Sequence, residues 1–399
     1  MANDERAFTS VEICAGAGGQ AIGLEGAKFG HLALVEIDPH ACATLRKGFA
    51  EHPERVFEGD VRKFLEAMEL RRAPAADLET LEEEQRRFLK VAEADHDQYE
   101  ALDLLAGGVP CPPFSLAGKQ LGEEDERDLF PVIVKLAGTL QPKAVMIENV
   151  RGLLQAKFDE YRARICTWLE EDLGYETMEW AQFQASEFGV PQLRPRSILI
   201  ALKKEYAPYY VPPTPDASRK VTVGDALAGS MRKRGMKAKE AREWVEKADG
   251  VAPTLVGGSK KHGGADLGPT RAKRQWESLG IDGHGLADDG EPADLNGPKG
   301  RGPKLTVAQA AILQGFPLDW PFQGGKTARY RQVGNAFPPP VARAVAIQIR
   351  LAIEAFERGD EPPARKPKPE PAVPNQRAAR RTPRRSRASQ NENQGVLPF

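Results

Sequence analysis

Residues 8–27 read FTSVEICAGAGGQAIGLEGA, and the class of fold depends mainly on this stretch. Residues 8–13 are predicted to form a short buried strand, and the Gly-rich turn CAGAGG follows at residues 14–19, before a helix. Glycine lets a backbone approach a ligand closely, and the N-terminus of a helix offers free N–H groups. The stretch therefore indicates a strand, turn and helix that can bind a ligand, although a plain tight turn explains the glycines about as well.

Acidic residues stand at the ends of the next two predicted strands. The strand LALVEID (32–38) contains Glu36, and VFEGD (56–60) ends in Asp60. Strand and helix alternate here, which predicts βαβ units and a parallel sheet. Glu36 can accept hydrogen bonds from both ribose hydroxyls, and Asp60 can accept one from an adenine amino group or be the N-cap of the next helix. The pattern indicates an adenosyl ligand and leaves both NAD and S-adenosylmethionine open.

The bulk properties describe an ordinary globular chain of 399 residues with a formal net charge of -1. No apolar run approaches the roughly 20 residues of a membrane span, and the first residues lack the pattern of a signal peptide, so we expect a cytoplasmic protein. Nucleic-acid binding would need local basic clusters. The four cysteines lack metal-ligand spacing, which predicts neither a metal site nor a disulfide framework; they are Cys14, Cys42, Cys111 and Cys166.

Changes in composition predict four parts of the chain. Residues 1–204 form the first part of an α/β domain, with an inserted charged helical element at 64–100. Residues 205–300 are rich in Pro, Gly and basic residues, which predicts a separate loop-rich domain. Helical periodicity returns in residues 301–357, and the Pro-, Arg- and Ser-rich residues 358–399 are expected to be disordered.

The segment GGVPCPPFSLAGKQ (107–120) contains the predicted nucleophile. Cys111 has Pro110 before it and Pro112 and Pro113 after it. Proline fixes φ and removes backbone donors, so this loop is stiff and holds the thiol in one direction. A buried structural cysteine does not need such a loop, and a thiolate is a strong nucleophile. We therefore predict a catalytic role for Cys111.

Two further segments supply candidate charged groups. The apolar strand KAVMIENV (143–150) carries Glu148, which would have a raised pKa if buried and could donate or relay a proton. In FGVPQLRPRSILIA (188–201), Arg194 and Arg196 stand two apart and would share one face of an extended segment. Such a pair suits an oxyanion, a phosphate or a base edge. A surface acid and a solvated arginine pair are the alternatives.

Together, and in this order, the segments resemble the bacterial-type cytosine carbon-5 DNA methyltransferases. The resemblance covers about residues 8–203 and 303–350 and includes QVGNA at 332–336. It implies an α/β fold, namely a Rossmann-like S-adenosylmethionine-dependent methyltransferase sheet with a second, smaller, loop-rich target-recognition domain. Two features depart from the family. Cys14 stands where the family usually has an aromatic residue, and the stretch from 60 to 103 is longer than usual.

The resemblance implies methyl transfer from S-adenosylmethionine to carbon 5 of a flipped-out cytosine in a specific duplex DNA sequence, without a metal, in a restriction-modification or epigenetic role. Cys111 would attack carbon 6, which makes carbon 5 electron-rich. Glu148 would contact ring nitrogen 3 and the exocyclic amine, and Arg196, with Arg194 close by, would bind near the base. The implied cofactor residues are Ala15, Gly16, Gly18 and Gly19 at the methionine end, Glu36 at the ribose, Ile37, Asp60 and Val61 at the adenine, and Asn335 closing the pocket.

Duplex DNA is the expected partner of the region 205–300 and of the basic tail. DNA contacts are expected from Ser115, Gln192, Lys260, Lys261, Arg271 and Arg274. Trp244 and Trp276 are predicted to be core residues. The last six residues, Gln394–Phe399 (QGVLPF), resemble the Q-x-x-L-x-F peptides that dock on bacterial sliding clamps; an inert tail is the alternative.

Four other functions explain part of the pattern. A nicotinamide-dependent oxidoreductase would account for the Gly-rich turn and Glu36, but not for the loop around Cys111. A DNA-binding module without catalysis has no need of Cys111, Glu148 and Arg196. An RNA methyltransferase would keep the chemistry, but the large variable region favours duplex DNA. An amino methyltransferase is suggested only by the Pro-Pro-Phe that follows Cys111.

Overall fold

In the described part of the chain, the computed structural model has a mixed sheet of seven strands and a separate sheet of two strands. The described residues are 7–72, 81–109, 128–216, 220–257 and 266–364. The strands are β1 (Phe8–Ile13), β2 (Phe29–Glu36), β3 (Val56–Glu58), β4 (Leu104–Gly108), β5 (Ala144–Val150), β6 (Tyr175–Gln184), β7 (Gln192–Leu193), β8 (Pro195–Lys203) and β9 (Ala252–Pro253). Predictions on Cys111, Ser115, Lys260, Lys261 and residues 394–399 lie outside the described residues.

The strand order in the sheet is β3-β2-β1-β4-β5-β8-β6. Neighbouring strands from β3 to β5 are parallel, whereas β8 runs antiparallel to both β5 and β6. The sequence pattern predicted the parallel part, but the reversed β8 and the strand β6 were not expected. The carboxyl ends of the parallel strands meet at one edge of the sheet, where ligands bind in open α/β sheets.

The described residues contain thirteen α-helices. They are α1 (Gly19–Gly26), α2 (Pro39–Gly48), α3 (Val61–Arg71), α4 (Glu83–Ala94), α5 (His96–Glu100), α6 (Phe130–Leu140), α7 (Asp159–Thr167), α8 (Val223–Lys233), α9 (Ala238–Lys247), α10 (Thr270–Ser278), α11 (Val307–Gln314), α12 (Lys326–Asn335) and α13 (Pro339–Arg358). None of the described helices is long and apolar enough to cross a membrane.

The predicted inserted element consists of helices that pack on the sheet and cover its edge. Apolar residues of α3 and α4 such as Phe64 and Phe88 are fully buried in the same core as β1 and β5. The outer strand β3 leaves one edge free of strand pairing. There the Glu84 carboxylate accepts the N–H of Glu58 at 3.1 Å, and the Arg87 guanidinium donates to the carbonyl of Val56 at 2.9 Å. Covering an edge strand removes a template for unwanted strand addition.

The region 205–300 contains three helices that its weak periodicity did not predict. Helices α8, α9 and α10 share a core with α11 and α12. Trp244 and Trp276 are 3% and 0% exposed, which confirms that both are core residues. These helices are only 9 to 11 residues long, and segments rich in Gly and Pro separate them. No window of sequence is therefore long enough to show the helical period clearly. The domain boundary at residue 205 stays a prediction.

Candidate active site

The Gly-rich turn forms as predicted between β1 and α1, and its backbone conformation explains the glycines. Gly16 and Gly18 have φ values of 55° and 88°, in the left-handed region that glycine adopts without strain. A Cβ on Gly19 would overlap the carbonyl oxygen of Phe337, at the start of α13. Glycine is therefore required at these positions by the shape of the turn and by the close approach of the C-terminal segment.

The Glu36 carboxylate organises the loops around the turn. It accepts the N–H groups of Gly16 at 2.8 Å, Ile37 at 2.9 Å and Asp38 at 2.8 Å. Burial raises the pKa of Glu36 more than these hydrogen bonds lower it. Among the residues that the structure describes, Oε2 accepts a bond from Gly16 alone, so it keeps a lone pair for another donor, such as a ribose hydroxyl.

Asp60 lies beside Glu36 and also caps a helix. The N–H of Gly59 donates to the Glu36 carbonyl at 2.9 Å, which brings the end of β3 next to that of β2. The Asp60 carboxylate accepts the Arg62 N–H at 2.8 Å as the N-cap of α3. The N-cap alternative is therefore confirmed. Ile37, at 65% exposure, is a large apolar side chain left open at the same sheet edge.

Glu12 is a buried acid that the sequence interpretation missed. It is 1% exposed, and neither carboxylate oxygen has a hydrogen-bond partner among the described residues. Burial, with a smaller contribution from the Glu36 charge, raises its pKa well above the ordinary value. An acid inside the apolar run FTSVEI was the signal that could have identified it. A partnerless buried carboxyl destabilises the fold once the pH favours its ionisation.

We expect Glu12→Gln to stabilise the protein in a pH-dependent way. Because the folded-state pKa is raised, Glu12 stabilises the fold fully below about pH 4.5, and this contribution is lost as the pH rises through the folded pKa. Glutamine does not ionise. Urea unfolding should give similar free energies for both proteins near pH 4 and an advantage of about 1–3 kcal/mol for the variant at pH 8. A difference that does not change with pH would contradict this account.

Glu148 and Arg196 form a buried ion pair at the end of β5. Glu148 lies opposite Ile198 on the antiparallel strand β8, and Arg196 is its diagonal neighbour on the same face. Arg196 Nε lies 2.5 Å from Glu148 Oε1, and the two side chains are 10% and 8% exposed. Burial raises the pKa of Glu148 more than the charges of Arg196 and Arg194 lower it. The predicted buried acid is present, with an arginine in contact.

The segment that carries Cys111 leaves the sheet beside Glu148. Gly108 pairs with Glu148 in the parallel ladder, and a Cβ on Gly108 would lie 3.4 Å from Glu148 Oε2. The N–H of Val109 donates to the Glu148 carbonyl at 3.3 Å. The absence of a side chain at Gly108 leaves the Glu148 carboxylate open towards this segment.

Arg194 is an interior residue, which excludes the alternative of a solvated surface group. It is 1% exposed. Its guanidinium donates to the carbonyls of Leu255 at 2.7 Å, Gly334 at 2.7 Å and Ala336 at 2.9 Å. One side chain thus ties together β7, the segment after β9 and the end of α12. In this geometry Arg194 positions the backbone, and the place of Arg194 and Arg196 near a base edge stays a prediction.

Gln192 belongs to the same interior network, which corrects its expected contact with DNA. It is 0% exposed. The side-chain oxygen Oε1 of Gln192 accepts the backbone N–H of Leu255 at 2.8 Å, and its side-chain nitrogen Nε2 donates to Gln314 Oε1 at 2.6 Å. Gln314 in turn donates to the carbonyl of Ala336 at 2.5 Å. Because Gln192 lies 63 positions from Leu255 and 122 from Gln314 in the chain, no local pattern could have identified the network.

We expect Arg194→Met to lower the free energy of unfolding by about 3–5 kcal/mol, because buried carbonyls would lose their donors. The measurement is the midpoint of urea unfolding. Arg242→Met is the matched control, since Arg242 is an exposed arginine on α9, and it should change stability by less than about 0.5 kcal/mol. Equal midpoints for the two variants would show that the network does not depend on Arg194.

Asn335 and Trp320 border the Gly-rich turn from the C-terminal side. Asn335 is exposed at the end of α12, and a Cβ on Gly257 would lie 2.5 Å from its Oδ1. Trp320, which the sequence interpretation did not include, donates its indole N–H to the carbonyl of Ala17 at 2.9 Å. It also contacts Phe49 with ring centroids 5.4 Å apart. The segment 301–357 therefore packs against the Gly-rich turn and supports it.

The fold and site together define a Rossmann-like methyltransferase. The solved structure of the Entamoeba histolytica methyltransferase EhMeth is similar, with a TM-score of 0.55 and 14% identity over 90% of this chain and 100% of that one. The chain belongs to the C-5 cytosine-specific DNA methylases, because the family model of that description matches residues 8–350.

Two curated relatives give the same result at higher identity. The Type II methyltransferase M.NaeI of Lentzea aerocolonigenes is 48% identical, over 88% of this chain and 76% of the relative. M.NgoMIV of Neisseria gonorrhoeae is 44% identical, over 87% of this chain and 98% of the relative. The chain is thus a C-5 cytosine DNA methyltransferase of an S-adenosylmethionine-dependent family, as predicted from the sequence.

Proposed function

We propose that this chain binds S-adenosylmethionine and methylates carbon 5 of a flipped-out cytosine at a specific duplex DNA site, through a covalent intermediate on Cys111. The observation that carries the proposal is the buried ion pair of Glu148 and Arg196 beside the segment that leads to Cys111. Cys111 follows Val109 by two residues, so covalent geometry limits the distance between their Cα atoms to about 7.6 Å.

The residues at the sheet edge fit S-adenosylmethionine, which supplies a methyl group on a sulfonium when bound. The turn at Ala15, Gly16, Gly18 and Gly19, whose side chains are no larger than a methyl group, suits its amino-acid end. The free lone pair of Glu36 suits a ribose hydroxyl, and exposed Ile37 suits an adenine face. Asp60, Val61 and Asn335 complete the proposed pocket. The Asp60 carboxylate is partly exposed, so it can accept a further bond beside its helix cap.

Four side chains have separate roles in the reaction at the cytosine ring. The Cys111 thiolate adds to carbon 6, which removes aromaticity and makes carbon 5 nucleophilic. Glu148, whose pKa is raised by burial, gives a proton to ring nitrogen 3 and accepts from the exocyclic amine. Arg196 holds the Glu148 carboxyl in place and binds near the base. Arg194 acts through the backbone that it ties together, as a positioning residue. Carbon 5 takes the methyl group, and water accepts the carbon 5 proton. Ring nitrogen 3 then returns its proton to Glu148 as the carbon 6–sulfur bond breaks and releases the Cys111 thiolate.

Duplex DNA is the proposed partner of the region 205–300, with contacts from Lys260, Lys261, Arg271 and Arg274, and of Ser115 in the segment that follows Cys111. Phosphate contacts position a protein on DNA, whereas base contacts specify the site. The relatives' names, Type II methyltransferases, support a restriction-modification role in the cell. Docking of residues 394–399 on a sliding clamp, disorder of the tail 358–399 and a cytoplasmic location stay predictions.

Methyl transfer to genomic duplex DNA tests the proposal. Purified protein is incubated with S-adenosylmethionine labelled in the methyl group and with genomic DNA, and the nucleosides are identified by mass spectrometry. We expect 5-methylcytosine, with bisulfite sequencing showing methylation at one short site. Label in methyladenine or N4-methylcytosine, or transfer to matched RNA but not to duplex DNA, would overturn the proposal.

A further inference from the structure

Helix α10 presents two chemically different faces. Thr270, Arg274 and Ser278 follow one another at four-residue spacing, and Arg271 and Gln275 lie beside them, so these five side chains share one face. All five residues are exposed. The opposite face is partly or fully buried. An amphipathic helix whose outer face is polar and basic can be either a plain solvated helix or a helix that meets a charged partner.

The buried face holds α10 firmly in place. Trp276 is 0% exposed. Lys273 forms an ion pair with Asp266 at 2.8 Å, and Glu277 lies 3.9 Å from Arg301, whose guanidinium also binds Asp282. Burial opposes ionisation of Asp282, but hydrogen bonds from Arg301 and from His284 outweigh it and lower the pKa of Asp282 to about 2. The helix is therefore a rigid support for its exposed side chains.

The exposed face lacks acids and has two unused guanidinium groups. The one carboxylate of α10, Glu277, lies on the anchored face. Arg271 and Arg274 form no ion pair or side-chain hydrogen bond with any residue in the described ranges 7–72, 81–109, 128–216, 220–257 and 266–364. Neighbouring Lys273 is neutralised by Asp266. Two adjacent free arginines on a rigid helix match a polyanion, because the protein leaves their charge uncompensated.

A chain of direct contacts connects α10 to the active site. The helix packs against β9 (Ala252–Pro253). Strand β9 pairs with β7 (Gln192–Leu193), immediately before Arg194 and Arg196. Leu255, just beyond β9, is held by the Arg194 guanidinium at 2.7 Å. A partner bound on α10 is thus held at a fixed position relative to Glu148 and Arg196.

We propose that α10 enters the major groove of the substrate DNA, where Arg271, Arg274 and Gln275 read base edges and set the sequence specificity. This inference rests on the proposed function, since it names the residues that select the methylated site. The major groove is about 12 Å wide and admits an α-helix of about 10–12 Å diameter. Arginine pairs with guanine O6 and N7, and glutamine with adenine N6 and N7. Because arginine pairs with guanine, we expect the recognised site to contain guanine in addition to the target cytosine.

Single-base variants of the substrate test whether α10 reads bases. The methylated site is first located with the wild-type protein, and kcat/KM is then measured on duplexes changed at each position in turn. We expect Arg274→Ala and Arg274→Lys both to lower kcat/KM on the preferred duplex by about 10- to 100-fold. They should also remove the penalty for changing one guanine. Lysine keeps the charge but loses the two-pronged contact. Gln275→Ala should relax a different position.

Arg242→Ala on α9 is the matched control, because it removes an exposed arginine from the same region. It should leave the selectivity unchanged. Equal loss on all duplexes, with a reduced salt dependence, would assign Arg274 to a phosphate and overturn base reading. Unchanged kinetics with an altered oligomeric state would make a second copy of the chain the occupant of α10, which also overturns it. Failure of the wild-type protein to methylate any duplex would instead refute the proposed function.

Discussion

A Cys111→Ser variant is expected to bind duplex DNA normally and to lose methyl transfer by a factor of about 10⁴ or more. Carbon 5 of cytosine is part of an aromatic ring and is a weak nucleophile. Addition of a thiolate at carbon 6 removes the aromaticity and divides one difficult step into easier ones. A serine hydroxyl is not ionised at neutral pH, so it does not replace the thiolate. The rate is measured with labelled S-adenosylmethionine under single-turnover conditions.

Covalent trapping separates this explanation from a general defect. Duplex DNA with 5-fluorocytosine at the target has no proton to lose from carbon 5, so the intermediate on Cys111 should accumulate as an adduct that survives denaturing gel electrophoresis. Cys166→Ser is the matched control, because Cys166 lies on α7, which contributes no residue to the proposed site. The control should form the adduct and Cys111→Ser should not. Methylation by Cys111→Ser at the normal rate would refute covalent catalysis.

Local sequence signals predicted the parts of the site that lie at strand ends. The Gly-rich turn, Glu36 and Asp60 each follow a predicted strand, and parallel strands bring their carboxyl ends to one edge. Glu148 could be predicted in the same way, because an acid at the end of an apolar parallel strand also lies at the carboxyl edge of the sheet. The prolines on both sides of Cys111 were enough to predict a nucleophilic cysteine from the sequence alone.

Contacts between distant segments could not be predicted from local patterns. Gln192 and Arg194 are polar and belong to the P-Q-x-R-x-R segment, so a position near the DNA was expected. Their partners at Leu255 and Ala336 become neighbours only when the sheet, the region after β9 and α12 assemble. The reversed direction of β8 escaped prediction for the same reason, since residue periodicity gives the presence of a strand but not its direction.

A Glu148→Gln variant is expected to lower kcat by about 10²- to 10⁴-fold, the usual contribution of a positioned acid or base. Glutamine keeps the size and one acceptor of the side chain but cannot give a proton to ring nitrogen 3. It also removes the negative partner of the buried Arg196 guanidinium. The variant should bind the methyl donor as the wild type does, because Glu148 lies outside the proposed cofactor pocket.

The pH dependence of kcat distinguishes proton donation from a purely structural role. Burial raises the pKa of Glu148, so the carboxyl keeps its proton to a higher pH than an ordinary glutamate. Donation requires the protonated form, and the rate should fall as the pH rises through that pKa. The Cys111 thiol must be ionised, and its contribution rises with pH. The wild type should therefore give a bell-shaped profile, and Glu148→Gln only the rising limb.

Glu179→Gln on β6 is the control for exchanging a partly buried carboxyl in the same sheet, because burial also raises the pKa of Glu179. It should keep the bell-shaped profile and a kcat close to that of the wild type. A Glu148→Gln protein with the full bell at a uniformly lower rate would indicate that Glu148 only holds Arg196. Proton donation to the ring would then have to come from another group, since a glutamine cannot titrate in this range.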